Sequence, residues 1–287
     1  MNKLVQDARL EKAYQYCEQR VQQHYENFPV ASWFLPKHLR RPIAVIYAFS
    51  RTADDLADEG SAPAEQRLQQ LTDYGQQLDS RHSSDDPVFI ALNHVIQVHQ
   101  LPTQLFHDLL TAFKMDVSPK RYGSFSELLF YCQHSANPVG RLLVHLNHRV
   151  SDENLQYADN ICTALQLINF YQDLQQDYTE NKRIYIPLDE MQQYGVSEQH
   201  FKTCNSDKAM QDLMAFQIRR ARDMLLSGQH LGTILPGRMG FELRMVIAGG
   251  LRICDKLENN NGNVFARPRL HKLNWLIMFW QAAKRSY

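Results

Sequence analysis

Two pairs of aspartates carry the strongest chemical signal in this chain of 287 residues. Asp54 and Asp58 lie in Tyr47-Ala48-Phe49-Ser50-Arg51-Thr52-Ala53-Asp54-Asp55-Leu56-Ala57-Asp58-Glu59, and Asp173 and Asp177 close the stretch Gln166-Leu167-Ile168-Asn169-Phe170-Tyr171-Gln172-Asp173-Leu174-Gln175-Gln176-Asp177. At about 100° per residue, Tyr47, Arg51, Asp54 and Asp58 fall within about 40–60° of one another on one helix face. Gln166, Asn169, Asp173 and Asp177 share about 80° of arc and form a polar ribbon on an otherwise apolar helix. Like charges one turn apart cost a few tenths of a kcal/mol, and Asp is a poor residue for helix interiors. A single such pair is explained by a solvated face with Arg51 as counter-ion. With a second pair on a helix otherwise apolar, the polar ribbon either faces water or lines a cavity that holds a charged ligand.

Oxygen donors without accompanying His or Cys suit a hard cation, and Mg²⁺ typically takes one or two carboxylates and completes its shell with waters and substrate phosphates. The expected chemistry is therefore capture of a diphosphate through bridging Mg²⁺. Zinc is disfavoured, because there is no H-E-x-x-H and His145 and His148 have no companion ligand cluster. No Glu-x-x-His of the di-iron type, no phosphate-binding G-x-x-x-x-G-K-[ST] loop and no strand-borne G-x-G-x-x-G is present.

These residues need long helices to position them, and the sequence supplies such elements. Gly (12) and Pro (11) are scarce, which disfavours turn-rich all-β folds. Apolar periodicity predicts helices over 4–25, 37–60, 64–78, 87–99, 102–115, 124–147, 151–178, 207–231, 238–258 and 267–283. Short joints and the lack of a long linker or a fixed-period repeat predict a single domain over 1–287. Lys+Arg and Asp+Glu balance at 31 each, and no basic block gives the electrostatic footprint of a nucleic-acid binder. Five widely spaced cysteines without a C-x-x-C pair read as reduced thiols. No secretory signal is expected, and no apolar run approaches the ~20 residues that span a bilayer, so a cytoplasmic protein is expected. Leu273, Trp275, Leu276, Phe279 and Trp280 in the last helix read first as core packing and second as a face for weak peripheral contact with the inner membrane.

With both motifs and the later Arg183-Ile184-Tyr185-Ile186-Pro187 in order, the chain resembles the squalene/phytoene synthases, all-helical enzymes of isoprenoid biosynthesis. In that family an early helix reads roughly Y-A-F-x-R-x-x-D-D-x-x-D and a later one Q-L-x-N-x-x-x-D-x-x-x-D, followed by R-x-Y-x-P. Tyr25 to Ser32 and Ser135-Ala136-Asn137-Pro138-Val139-Gly140-Arg141 are similar to one branch, the hydroxysqualene synthases of the bacterial hopanoid route. Gln172 departs from the Arg often found before the first Asp of the later motif.

The resemblance implies an all-α, single-domain isoprenoid-synthase-type helical bundle with a central cavity. It implies a Mg²⁺-dependent conversion of presqualene diphosphate to hydroxysqualene, with diphosphate released and water capturing the rearranged cation. Asp54, Asp58, Asn169, Asp173 and Asp177 would hold the metal, and Arg51 and Arg183 would donate to diphosphate oxygens. Tyr47 and Tyr185 would complete the hydrogen bonding, Tyr185 counting with the four aspartates as catalytic. Gln166 and Phe28 belong to the same substrate-binding set, and Phe28, Phe49, Phe125, Phe130 and Phe170 read first as simple core and second as the lining of an apolar pocket. Alternatives are head-to-head condensation of two prenyl diphosphates, to presqualene diphosphate or phytoene, and a non-catalytic helical scaffold. Transient contacts with other enzymes of the pathway would follow from lipid substrates.

Overall fold

A computed structural model describes residues 3–23, 35–58, 62–79, 84–118 and 121–284. Among them there is no strand, and the helices are α1 (Lys3–Gln23), α2 (Lys37–Asp58), α3 (Ala64–Asp79), α4 (Pro87–His99), α5 (Gln104–Asp116), α6 (Phe125–Ser135), α7 (Asn137–Leu146), α8 (Asp152–Gln172), α9 (Leu174–Asn181), α10 (Leu188–Gln193), α11 (Glu198–Thr203), α12 (Lys208–Gly228), α13 (Leu231–Ile234), α14 (Gly237–Glu258) and α15 (Lys272–Lys284). The residues form two compact units, one of Met1–Ser118 with Leu142–Arg149, the other of Pro119–Arg141 with Val150–Tyr287.

In the first unit α2 is the organising helix. Its buried face carries Leu39, Ile43, Val45, Ile46 and Phe49, a stripe that matches helical spacing. Phe49 is fully buried; it stacks on Tyr74 at 5.2 Å and meets Phe89 and Phe106 edge-on at 6.1 and 5.3 Å. Such an aromatic cluster contributes beyond its burial. Phe49 is core, the first of the two readings its sequence allows. The polar face of the same helix then presents Tyr47, Arg51, Asp54 and Asp58.

In the second unit α8 takes that part. Ser151 caps it by accepting from the Asn154 amide at 3.2 Å, with Asp152 and Glu153 in the first turn, both favourable at the positive helix end. Two glycines set how closely other helices approach it. A Cβ on Gly140 would stand 2.5 Å from the Cys162 sulfur, and one on Gly228 would stand 2.6 Å from the Tyr157 carbonyl oxygen. No side chain fits at either point.

Two predicted helices are each divided in two. The 124–147 element breaks at Ala136, because Pro138 cannot continue a helix interior but suits the first turn of a new one. The 151–178 element breaks at Asp173, whose backbone (φ −106°, ψ 16°) leaves the helical region. Its amide still donates to the Asn169 carbonyl at 3.0 Å, and the Asp177 amide donates to the Asp173 carbonyl at 2.9 Å, so the polar ribbon bends without losing its thread. The last helix starts at Lys272, not at 267; Pro268 lies in an extended segment, and the His271 amide is capped by Asn274 at 2.9 Å.

Gly228→Ala is expected to lower stability by about 1–3 kcal/mol through overpacking against α8, read as a fall in the midpoint of thermal unfolding; an unchanged midpoint would show that α12 and α8 are not held at this separation.

Candidate active site

On α2, Arg51 bridges two carboxylates. Its Nη1 donates to Asp54 at 3.0 Å, and its Nε lies 2.7 Å from Asp55. Asp55 also pairs with Arg20 from α1. Sequence periodicity places Asp55 off the shared arc, yet it is the residue that locks the Arg51 guanidinium in position. The signal was available in the adjacent Asp54-Asp55, but only the fold brings Arg20 to it. Tyr47 sits half-buried in the same group, where burial raises its phenol pKa and the charge of Arg51 opposes the rise. Asp58 is exposed at the end of the helix. Phe28 lies outside the described residues.

In the second unit the first aspartate of the later pair also has an arginine. Arg267, from the extended segment before α15, grips both oxygens of Asp173, with Nη2 donating at 3.1 Å. The Asp173 side chain is only 12% exposed while Arg267 is 43% exposed, so a shielded carboxylate is met bidentately by a guanidinium that solvent still reaches. The neighbouring Gln172 donates to the Pro268 carbonyl at 2.6 Å and pins the same segment. Sequence reading placed Arg267 only as the start of a helix. Arg51 was expected as the counter-ion of the early pair, and it does reach Asp54; the guanidinium that meets Asp173 has no counterpart in the sequence reading.

Asp177 is less well served. Burial foremost, then the charge of Asp173, pushes its carboxyl up to about 6, against the pull of Arg183 and Arg267. Arg183 follows in the loop, its amide donating to the Asp177 carbonyl at 3.0 Å. Asn169 is exposed and Gln166 half-buried on α8. Asn169, Asp173, Asp177 and Arg183 thus come from one bent helix and the turn that ends it.

Tyr185 lies flat on Phe170, centroids 3.7 Å apart and planes 5° from parallel. Tyr122 and Tyr131 complete the cluster at 6.1 and 6.2 Å from Tyr185. Neither was singled out from the sequence, since buried tyrosines carry no periodic signature of function. The loop is fixed by the Leu188 amide donating to the Tyr122 carbonyl at 2.9 Å. Beyond it, Glu190 pairs with Arg220, which lies 3.4 Å over the Phe125 ring, and Tyr171 donates to Gln217 at 3.0 Å. Phe125 is therefore a platform for an arginine, Phe130 is 51% exposed and so is not core, and Phe170 stands in the aromatic cluster.

The oxygen-only donors fit a hard divalent cation. Asp177 is the structural observation behind this: a shielded carboxyl whose ionisation is opposed by an adjacent negative charge gains from a cation beside it. Among the described residues no group of three or more His, Cys, Asp or Glu is gathered at ligand spacing.

Comparison with solved structures defines the class. A squalene synthase HpnC from Alicyclobacillus acidocaldarius superposes with a TM-score of 0.82 at 31% identity, over 88% of this chain and 95% of that one. A dehydrosqualene synthase shares the fold at a TM-score of 0.78, over 96% and 97% of the two chains, at 23% identity. The architecture is thus all-α and of the isoprenoid-synthase type. The chain belongs to the squalene/phytoene synthase family, whose model matches residues 21–275. It is 32% identical over 237 residues to a hydroxysqualene synthase of Rhodopseudomonas palustris, covering 82% of this chain and 80% of that protein. The protein is an enzyme of this family.

The raised Asp177 pKa has a sign. The folded state holds a proton between about pH 4 and 6 that the unfolded state has released, so stability falls as pH rises through that window. Asp177→Asn is expected to raise the unfolding midpoint by about 3 °C at pH 8 and to leave it unchanged at pH 4, and Mg²⁺ should raise the wild-type midpoint at pH 8 more than the variant's. Calorimetry at both pH values checks this.

Proposed function

We propose that the chain converts presqualene diphosphate to hydroxysqualene and diphosphate, with Mg²⁺ as cofactor. The hydroxysqualene synthase relative supports the reaction, and the observation that carries the site is the shielded Asp173 carboxylate, paired with Arg267, beside the destabilised Asp177, an arrangement of opposed charges suited to a metal-bound diphosphate. The family match runs through both compact units, which supports reading the chain as one synthase domain.

In the reaction the bond between the cyclopropylcarbinyl carbon and the diphosphate oxygen breaks, and its electron pair leaves with diphosphate. The resulting cation rearranges, the oxygen of a water molecule forms the new carbon–oxygen bond, and a proton is released. Bound Mg²⁺ supplies Lewis-acid neutralisation of the leaving group. Asp54, Asp58, Asp173, Asp177 and Asn169 hold it in this reading. Arg51 is aimed by Asp55 and Arg20 before substrate arrives, so its donors need no reorganisation when they meet diphosphate oxygens. Arg183 adds a second donor, Tyr47 and Gln166 contribute polar contacts, and Tyr185 offers its hydroxyl from a ring held rigid on Phe170. Phe28 is assigned to the apolar substrate wall. A prenyl diphosphate is the substrate class, and contacts with enzymes that supply or consume these lipids follow from their insolubility.

The second reading is head-to-head condensation. It is favoured by a phytoene synthase of Mycobacterium tuberculosis that is 30% identical over 225 residues, 77% of this chain and 74% of that protein. Purified protein given Mg²⁺ and either presqualene diphosphate or farnesyl diphosphate, without NADPH, separates the two: hydroxysqualene from the first alone supports the proposal, and presqualene diphosphate or a longer hydrocarbon from a prenyl diphosphate replaces it. Asp54→Asn and Asp173→Asn are each expected to cut turnover by about 100-fold or more with an unchanged helical circular dichroism signal; full activity in both would remove the metal assignment.

A further inference from the structure

Helix α15 is apolar on every side, a pattern normally reserved for buried helices. Its inner face is indeed buried: Met278 and Ala282 pack with Met245 and Ala248 of α14, Asn274 is buried, and Arg244 donates to the Ala282 carbonyl at 2.7 Å. The outer face is not covered. Leu273 is 67% exposed, Trp275 55%, Leu276 60%, Phe279 45% and Trp280 62%. Leu273, Leu276 and Trp280, at the three- and four-residue spacing of one face, point directly away from the packed side. The expectation that these residues form core is therefore overturned. Their three rings leave on the order of 300 Å² open to solvent, taking ~200 Å² for a whole aromatic side chain, and the two leucines carry the patch to the size that marks an interaction surface.

The charges around the patch say what it meets. No Asp or Glu occurs from Asn259 to Lys284, while Arg269, His271, Lys272 and Lys284 are all exposed. Lys272 and Lys284 bracket the two ends of the helix, and the Lys284 ammonium lies 6.0 Å over the Trp280 ring. Tryptophan and phenylalanine between flanking cations is the composition of a helix lying in a headgroup layer. A second protein copy would bring an identical cationic rim against this one and be repelled.

We propose that α15 is a membrane-docking helix that seats its Leu273–Trp280 face in the surface of an anionic lipid bilayer. Among the described residues no helix is long and apolar enough to cross a membrane, so the contact is interfacial and reversible. The segment carrying Arg267 and Pro268 leads straight into α15, so the bilayer contact adjoins the chain that grips Asp173. The inference rests on exposure and charge and holds whichever reaction the enzyme performs.

Co-sedimentation of the full chain with vesicles of phosphatidylcholine, alone or mixed with phosphatidylglycerol, tests it. Three exposed cations predict a preference of roughly 100-fold for the anionic vesicles at low salt, falling with added salt. Two of the three tryptophans lie on this face, so emission should shift to the blue on binding. Leu276→Ser with Trp280→Ser should lower partitioning by about tenfold or more without changing the circular dichroism spectrum; Lys272→Gln with Lys284→Gln should cut the anionic preference to about fivefold, the share of the remaining Arg269. No partitioning on either vesicle, partitioning indifferent to the first double variant, or a solution dimer that this variant dissociates would each overturn the proposal.

Discussion

Holding carboxylates on largely apolar helices without leaving them as uncompensated charges is the constraint from which the rest of this structure follows. A shielded carboxylate is tolerable only beside a cation, and each motif is built to provide one. On α2 the cation comes from the same helix, and a carboxylate that is no part of the predicted face, Asp55, aims it with the help of Arg20. On α8 it arrives from far along the chain, where Arg267 closes on Asp173. The two motifs look alike as strings and are balanced by different means.

The second arrangement explains the local geometry around it. Asp173 sits where α8 gives way to α9, with its amide still bonded to Asn169. A straight helix would carry Asp177 along the unbroken ribbon; the bend sets it instead in a shielded position next to Asp173, where its charge is disfavoured. The turn that follows returns Arg183 to Asp177 and lays Tyr185 on Phe170. Close approach at Gly140 and Gly228 fixes α8 along its length, and the Glu190–Arg220 pair braces the chain just past Tyr185. Packing, more than the polar residues themselves, determines where the polar residues stand.

The segment from Asn259 to His271, turns followed by irregular chain, links two properties that are unrelated in the sequence. At one point its Arg267 neutralises Asp173; a few residues on, it becomes a helix with an uncovered aromatic face.

Helix positions in the first half were legible because apolar periodicity there is uninterrupted and the caps are ordinary: α4 runs from Pro87 to His99, as read. The four aspartates, Arg51 and Asn169 could be singled out as candidates because one-turn spacing is a local property, and Tyr185 only through the R-x-Y-x-P of the family resemblance. The divisions at Ala136 and Asp173 were not, since a helix and its bent continuation share one periodicity. Nor was Arg267, ninety-four residues from its partner, nor the outward face of α15, because an all-round apolar helix does not say which side the protein covers. Sequence alone determined the helical class, the oxygen-donor chemistry and the family resemblance, all of which depend on neighbours within a turn or two. Tertiary structure decided which carboxylates are neutralised, which aromatics are core and which remain bare, because those are properties of residues brought together across the chain.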